Sequence, residues 1–290
     1  QSGGFLERSI AMCEERALKY VFFTGATGGL GMACVKMLSI HGWMIFAGGT
    51  NKDKLKALGE IPNVLPVYAD VTDTNSIKAA RDTVLLHTDH LDAIVNFAGI
   101  TSFDSLVEGD PVSKAERLLS INVMGTLRTN FIFFDLIEKC HGRIVNCSSS
   151  AGWMTAQPFN GAYVMSKRAV EGYNDSLRRE LMYLKIPVIK IQPGSFRTAI
   201  TDEITDSYAR VLSHTKRYRY VLQKMKPLMD STLHHSGDPH DVARVVVKAL
   251  KAKHPKLKYR IGSGALLTLL ELLPEPMVDF VYKLLGKSSS

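Results

Sequence analysis

Short apolar runs rich in Val, Ile and Phe recur near 20–24, 43–47, 64–69, 93–96, 143–147, 188–192 and 259–261. Their length and composition predict buried strands. Between them, apolar residues spaced three and four apart predict helices near 29–41, 52–58, 74–88, 112–138, 162–184 and 239–252. Crossovers of that length return the chain in one direction, so the alternation predicts an α/β fold: a doubly wound parallel sheet of about seven strands with helices on both faces. No repeat, low-complexity tract or Gly/Ser linker divides the chain, and a single domain over 5–290 follows.

Two regions depart from the alternation. Residues 199–237 keep a helical period with many polar and basic side chains but no strand, which predicts an insertion forming a substrate lid. Residues 264–285 read as two apolar helical pieces interrupted by Pro274 and Pro276, preceded by Lys251, Lys253, Lys256, Lys258 and Arg260. That segment suits an anionic membrane surface. It equally suits a helix closing the pocket or covering a subunit interface, and that plainer reading is preferred.

Composition changes this picture little. With 46% hydrophobic and 22% charged residues, the 290-residue chain is neither disordered nor fibrous. Its net charge of +8 is spread along the sequence, without Cys/His zinc spacing or an RNA-binding aromatic signature, so neither a nucleic-acid partner nor a metal is expected. Cys13, Cys34, Cys140 and Cys147 show no CxxC spacing. A reducing intracellular setting, cytoplasmic by default, is the simplest expectation from them, with membrane association left open. Gln1-Ser2-Gly3-Gly4 resembles a tag remnant and is set aside.

The first candidate chemistry lies where Val21-Phe22-Phe23 runs into Thr24-Gly25-Ala26-Thr27-Gly28-Gly29-Leu30-Gly31 and then a helical segment. A glycine-rich turn from strand to helix lets backbone approach a pyrophosphate, and the helix N-terminus directs N–H groups and a positive dipole end at it. A dinucleotide is the expected ligand. A carboxylate after the second strand would favour NAD and an arginine NADP. Ala47-Gly48-Gly49-Thr50-Asn51-Lys52 has neither, so NAD and NADP both stay open. Asp70, ending the third strand, is suited to the adenine amino group; its plain alternative is to cap the helix near Thr74.

Tyr163 and Lys167 stand four residues apart, on one face of a predicted helix, downstream of Ser148-Ser149-Ser150. Hydride exchange between a nicotinamide and an alcohol or carbonyl requires a proton moved at the substrate oxygen. A nearby ammonium favours the phenolate needed for that transfer, and a serine hydroxyl can steady the same oxygen.

Together these motifs resemble the short-chain dehydrogenase/reductase superfamily over about residues 18–262. The likeness rests on Thr24-Gly25-x-x-x-Gly29-x-Gly31, Asp70-Val71-Thr72, Asn96-x-Ala98-Gly99, Asn122-Val123-x-Gly125, the serine run, Tyr163-x-x-x-Lys167 and Pro193-Gly194. The stretches 174–181 and 193–198 are similar to the retinol, hydroxysteroid and 3-hydroxybutyrate dehydrogenase group. The resemblance implies a Rossmann-type sheet and an NAD- or NADP-dependent oxidoreductase. It implies Tyr163 as general acid/base, Lys167 on the nicotinamide ribose, and Asn122 holding a water in a proton relay. Gly25, Thr27, Gly28, Gly29, Leu30, Gly31, Thr50, Asp70, Val71, Asn96, Ala98, Gly99, Pro193, Gly194, Phe196 and Thr198 would line the cofactor groove. Phe97 stands where the family usually has a second Asn. Ser149 is read as the catalytic serine from the strand end, whereas counting back from Tyr163 gives Ser150.

Trp153, Met154, Phe159, Phe196 and the insertion would wall an apolar pocket for a steroid- or retinoid-like alcohol or ketone. A small polar hydroxy acid is the alternative, and a non-catalytic redox sensor would need neither Tyr163 nor Lys167. By analogy with the family, the helices at 112–138 and 162–184 would pair subunits in a homodimer or homotetramer.

Overall fold

The computed structural model describes residues 18–234, 236–264, 268–269 and 271–286. Seven strands form: β1 Lys19–Thr24, β2 Trp43–Gly49, β3 Val64–Tyr68, β4 Ala93–Asn96, β5 Arg143–Cys147, β6 Val188–Pro193 and β7 Lys258–Ile261. All pair in parallel, in the order β3-β2-β1-β4-β5-β6-β7. The strand order reverses between β1 and β4, so a crevice opens outside their carboxyl ends, where this class of sheet binds ligands. All seven predicted strands are present.

Side chains alternate along each strand and divide the core into two layers. Val21 and Phe23 of β1 face one side, packed with Ile45 and with Leu38 and Val246 from α1 (Gly29–Ile40) and α9 (Pro239–Lys251). Phe22 faces the other and stacks on Phe133 at 4.1 Å between ring centroids. Its neighbours there are Ile77 of α3 (Thr74–Leu85) and Leu136 of α5 (Gly125–Glu138). Acidic and amide side chains cap the connecting helices. Asn51 caps α2 (Lys52–Leu58), Asp73 caps α3, Asp110 caps α4 (Pro111–Leu118), and Asp238 caps α9, each accepting a backbone N–H of the first turn.

The helical expectation for 112–138 needs correction. The segment is α4, then a π-helical stretch Leu119–Met124, then α5. Apolar spacing does not register a local change of winding, and such bulges favour functional sites. The stretch at 74–88 stops at Leu85 because His87 N donates to Val84 O, an i→i+3 bond that tightens the exit. Helix α6 (Gly161–Leu181) gives way to the 3₁₀ turn Met182–Leu184, and Lys185 ends it in the left-handed region at φ 57°.

The insertion folds as α7 Ala199–His214 and α8 Arg219–His234. At the C-terminal end, α10 spans Glu275–Gly286 and packs against α8; 265–267 and 270 of the first apolar piece lie outside the described residues. The suggested tag remnant and Cys13 also lie outside them. Cys34 is a buried free thiol and Cys147 a half-buried one. Cys140 is disulfide-bonded, which goes against the reducing setting expected from the cysteine spacing. Pairing depends on spatial proximity, which spacing does not report. Among the described residues no helix is long and apolar enough to cross a membrane, and no His/Cys/Asp/Glu group could hold a metal.

Candidate active site

The turn after β1 has the geometry of a pyrophosphate cradle. Gly25 takes φ +71°, and a Cβ there would lie 2.5 Å from Ala98 N, so only glycine fits. A Cβ on Gly31 would meet Gly25 O at 2.1 Å, which lets α1 start directly against the turn. Gly28 is the α1 N-cap with no side-chain cap bond, and the first turn carries no acid, so its N–H groups are not claimed by a capping side chain. Leu30 lies in that turn, half-buried against the first core layer. Across the crevice, Thr198 covers Gly29, with Cγ2 2.6 Å from where a Cβ would be. Thr27 packs on Gly49 at the end of β2.

Thr50 and Lys52 are exposed beyond β2, while Asn51 is occupied as the α2 cap, accepting from Lys54 N at 2.9 Å. Asp70 does not cap α3; Asp73 does. Asp70 Oδ1 instead accepts from Thr72 N at 2.9 Å and Thr72 Oγ1 at 2.7 Å, a local turn after β3. Val71 is buried against Gly125.

Asn96 does not turn its side chain to the crevice. It is buried, and its Nδ2 donates to Asn130 Oδ1 at 2.7 Å and Asn146 Oδ1 at 2.9 Å. Asn146 Nδ2 passes the chain on to Asn174 Oδ1 at 3.0 Å, and Asn130 reaches the Tyr173 hydroxyl at 3.1 Å. This amide cluster joins β4, β5, α5 and α6 directly beneath the site. Only the backbone after Asn96 lines the crevice: Ala98 N donates to Thr24 Oγ1 at 3.3 Å. Phe97, in place of the usual amide, fills apolar space against Phe23 at 5.3 Å.

The π-helical stretch delivers Asn122. Its side chain clamps the loop after β4: Oδ1 accepts from Ile100 N at 2.9 Å, and Nδ2 donates to Ile100 O and to Ser166 Oγ at 3.0 Å. A Cβ on Gly99 would lie 3.2 Å from Asn122 Oδ1 and 3.6 Å from Lys167 Nζ, so these three residues converge. Lys167 is buried, with Nζ donating to Cys147 O at 3.1 Å and lying 5.7 Å from the Tyr163 ring centre. Tyr163 is partly exposed in the first turn of α6, which packs on the 3₁₀ turn Ser150–Gly152. Ser149 caps that turn, accepting from Ala151 N at 3.2 Å, and its hydroxyl donates to Pro193 O at 3.5 Å. Gly194 N binds Ile261 O at 2.7 Å.

Burial pushes the Cys147 thiol from 9.0 up to about 11, against the opposing pull of the Lys167 cation. The native thiol therefore keeps its proton where the unfolded chain has lost it. Stability contributed by this group is intact below pH 9.0 and drains away as pH rises towards 11. The full loss is about 2–3 kcal/mol. Cys147→Ala should flatten the fall in unfolding free energy between pH 8 and 10.5 by about 2 kcal/mol in urea titrations; parallel pH curves would contradict the assignment.

The predicted pocket walls divide. Phe159 joins Tyr208 of α7 and Leu222 of α8, with Phe103 at 5.7 Å from its ring and Tyr218 at 5.3 Å. Met154 is buried beside the serine turn. Phe196 is corrected: it packs into the first core layer against Gly237 and Gly262. Trp153 lies under Arg260. Glu108, missed in the sequence, fastens the turn between α7 and α8 by accepting from Thr215 Oγ1 at 2.6 Å and Arg217 Nη1 at 3.1 Å. The Thr215 hydrogen bond, aided by Arg217, holds its carboxyl below the ordinary range. Asn130, Asn146 and Asn174 were also missed; for Asn130 and Asn146 a polar residue within an apolar run was the available signal, and Asn174 had none.

The chain matches the family model described as short chain dehydrogenase over residues 19–209. It is 31% identical to mouse retinol dehydrogenase 16, covering 90% of this chain and 86% of that protein. It is 29% identical to human 17-beta-hydroxysteroid dehydrogenase type 6, covering 91% and 87%. Among solved structures, an alcohol dehydrogenase from Thermococcus sibiricus complexed with 5-hydroxy-NADP superposes with TM-score 0.69 at 20% identity, covering 84% of this chain and 95% of that one. That last likeness carries the fold.

Proposed function

Because the chain belongs to the short-chain dehydrogenase family, we propose that it is an NAD- or NADP-dependent oxidoreductase interconverting an apolar alcohol and its carbonyl at Tyr163. A nicotinamide dinucleotide, when bound, supplies the donor or acceptor of the hydride. The strand–turn–helix at Gly25–Gly31 fits its pyrophosphate, with the backbone at Gly99 and the side chain of Thr198 alongside. Tyr163 exchanges a proton with the substrate oxygen: it takes the hydroxyl proton when the alcohol is oxidised and returns one when the carbonyl is reduced. Lys167 favours the phenolate by charge. Ser149 keeps its oxygen on Ala151 N and spends its proton only on a long bond to Pro193 O, so that proton can be redirected to the same substrate oxygen. Asn122 keeps the loop at Ile100 in place.

The convergence of Gly99, Asn122 and Lys167 beside Tyr163 is the observation that carries this reading. The aromatic lid cluster supports an apolar substrate, as do relatives named for retinol and a hydroxysteroid. Turnover of a panel of retinols, hydroxysteroids and short hydroxy acids, each with both nicotinamides, tests it. Activity restricted to the short polar acids would overturn the substrate class, and no activity with any would overturn the reaction.

We assign the outer face of α5 to a homodimer contact. Met124, the residue before α5, and Leu127 and Phe131 on it repeat at helical spacing, and Phe131 is 79% exposed. Light scattering at micromolar concentration should give a dimer or tetramer for the parent chain and a monomer for Phe131→Glu. A monomeric parent chain would remove this contact.

A further inference from the structure

We infer that the cleft beside Arg260 binds a carboxylate carried on an apolar body. Nothing in the oxidoreductase reading requires such a site, and the inference does not depend on it. Arg260 lies on the edge strand β7, opposite Gln192 of β6. Its guanidinium carbon sits 3.6 Å from the centre of the Trp153 ring, and its Nε donates to Gln192 Oε1 at 3.4 Å. Among the described residues no carboxylate forms an ion pair with it.

The guanidinium is oriented from below. Gln192 is buried, and its Nε2 donates to Glu171 Oε1 at 2.7 Å. A carboxylate only accepts, so the amide nitrogen of Gln192 faces Glu171 and its oxygen is presented to Arg260. Glu171 is itself held by Lys190 at 2.7 Å, and Lys190 also pairs with Asp175 at 2.8 Å. The acids of this group are therefore committed to a buried lysine and reach Arg260 only through a neutral amide. The acid nearest in sequence on the covering segment, Glu271, accepts from Thr155 N at 2.5 Å.

Beside the guanidinium lies an open, shallow cleft of about 530 Å³, lined with Gly262, Ser263, Gly264, Thr268, Leu269 and Leu272. Thr268 spends its hydroxyl on Gly264 O at 2.8 Å, and the two leucines are exposed, so the walls offer apolar contact. One planar cation, set over an aromatic ring with its carbon 3.6 Å from the ring centre, presents a fork suited to a carboxylate. The leucines suit a hydrocarbon chain behind it.

Trp153 supplies the reporter. The chain has two tryptophans, and Trp43 is buried in the core, so Trp43→Phe leaves emission from Trp153 alone. Monomeric dodecanoate should change that emission saturably, in the absence of any dinucleotide. Arg260→Gln should weaken its binding about tenfold or more, with Arg260→Lys intermediate. Dodecanol should bind about tenfold more weakly than dodecanoate to the unaltered cleft, a comparison that holds even if an Arg260 variant proves unstable.

Vesicles of phosphatidylcholine with and without phosphatidylserine form the second arm. Equal binding of dodecanol and dodecanoate, or indifference to Arg260→Gln in a variant of unchanged melting temperature, would overturn the inference. So would an Arg260-dependent response to anionic vesicles without one to monomeric dodecanoate, which would make the ligand a lipid surface. Loss of turnover in the oxidoreductase assay would leave the result untouched.

Discussion

Tyr163→Phe should lower kcat by about 10²–10⁴-fold while dinucleotide affinity stays close to that of the parent chain. The substitution removes one oxygen from a ring in the first turn of α6 and leaves the ring over which Lys167 is placed. The two readouts separate the chemistry from the scaffold. Fluorescence titration with NADH and NADPH measures the cradle, and single-turnover hydride transfer measures the proton step. A variant that retains parental turnover would exclude Tyr163 as the acid/base group. A variant that loses dinucleotide binding together with turnover would reveal a positioning role instead.

The second large effect is expected at the turn after β1. Gly25→Ala places a methyl group 2.5 Å from Ala98 N and the Phe97 carbonyl carbon, at a backbone φ of +71°. The left-handed conformation alone costs an alanine about 1–2 kcal/mol. The collision must also move the loop after β4, because both partners are main chain. That loop is pinned by Asn122 on one side and by Thr24 on the other. Stability should fall by about 2 kcal/mol or more, and affinity for either dinucleotide by more than about tenfold, since the displaced segment shapes the crevice. Thermal unfolding and calorimetric titration measure the two consequences. Unchanged affinity in a folded Gly25→Ala variant would mean that the dinucleotide lies elsewhere.

Much of this architecture was legible in the amino-acid pattern. Strands such as 93–96 and 143–147 announce themselves as short apolar runs because both faces of a parallel sheet are covered. The glycine turn was legible because a positive φ and close backbone contact leave few alternatives at Gly25 and Gly31. Tyr163 and Lys167 were legible through spacing and through their place after the fifth strand.

What was not legible depends on contacts between distant segments. The apolar pattern of 112–138 runs through the π-helical stretch without a break, and only the position of Asn122 against Ile100 gives the extra residue a purpose. Asn96 reads as a groove residue in the motif, yet strand alternation turns its side chain inward to amides 34 and 50 residues away. Phe196 likewise follows the Pro-Gly bend but falls on glycines at 237 and 262, which leave room for its ring. Glu108 has no local signature at all; its partners are 107 and 109 residues downstream.

Among the described residues the two margins of the sheet end without a further strand. At one, β7 is four residues long and turns Lys258 and Arg260 to solvent. At the other, β3 carries Pro66, which has no N–H to offer a newcomer. An incoming chain seeking to extend the sheet would meet repelling cations on one side and a missing donor on the other. The ladder is thus guarded against end-to-end growth into fibrils, and self-association is left to helical surfaces.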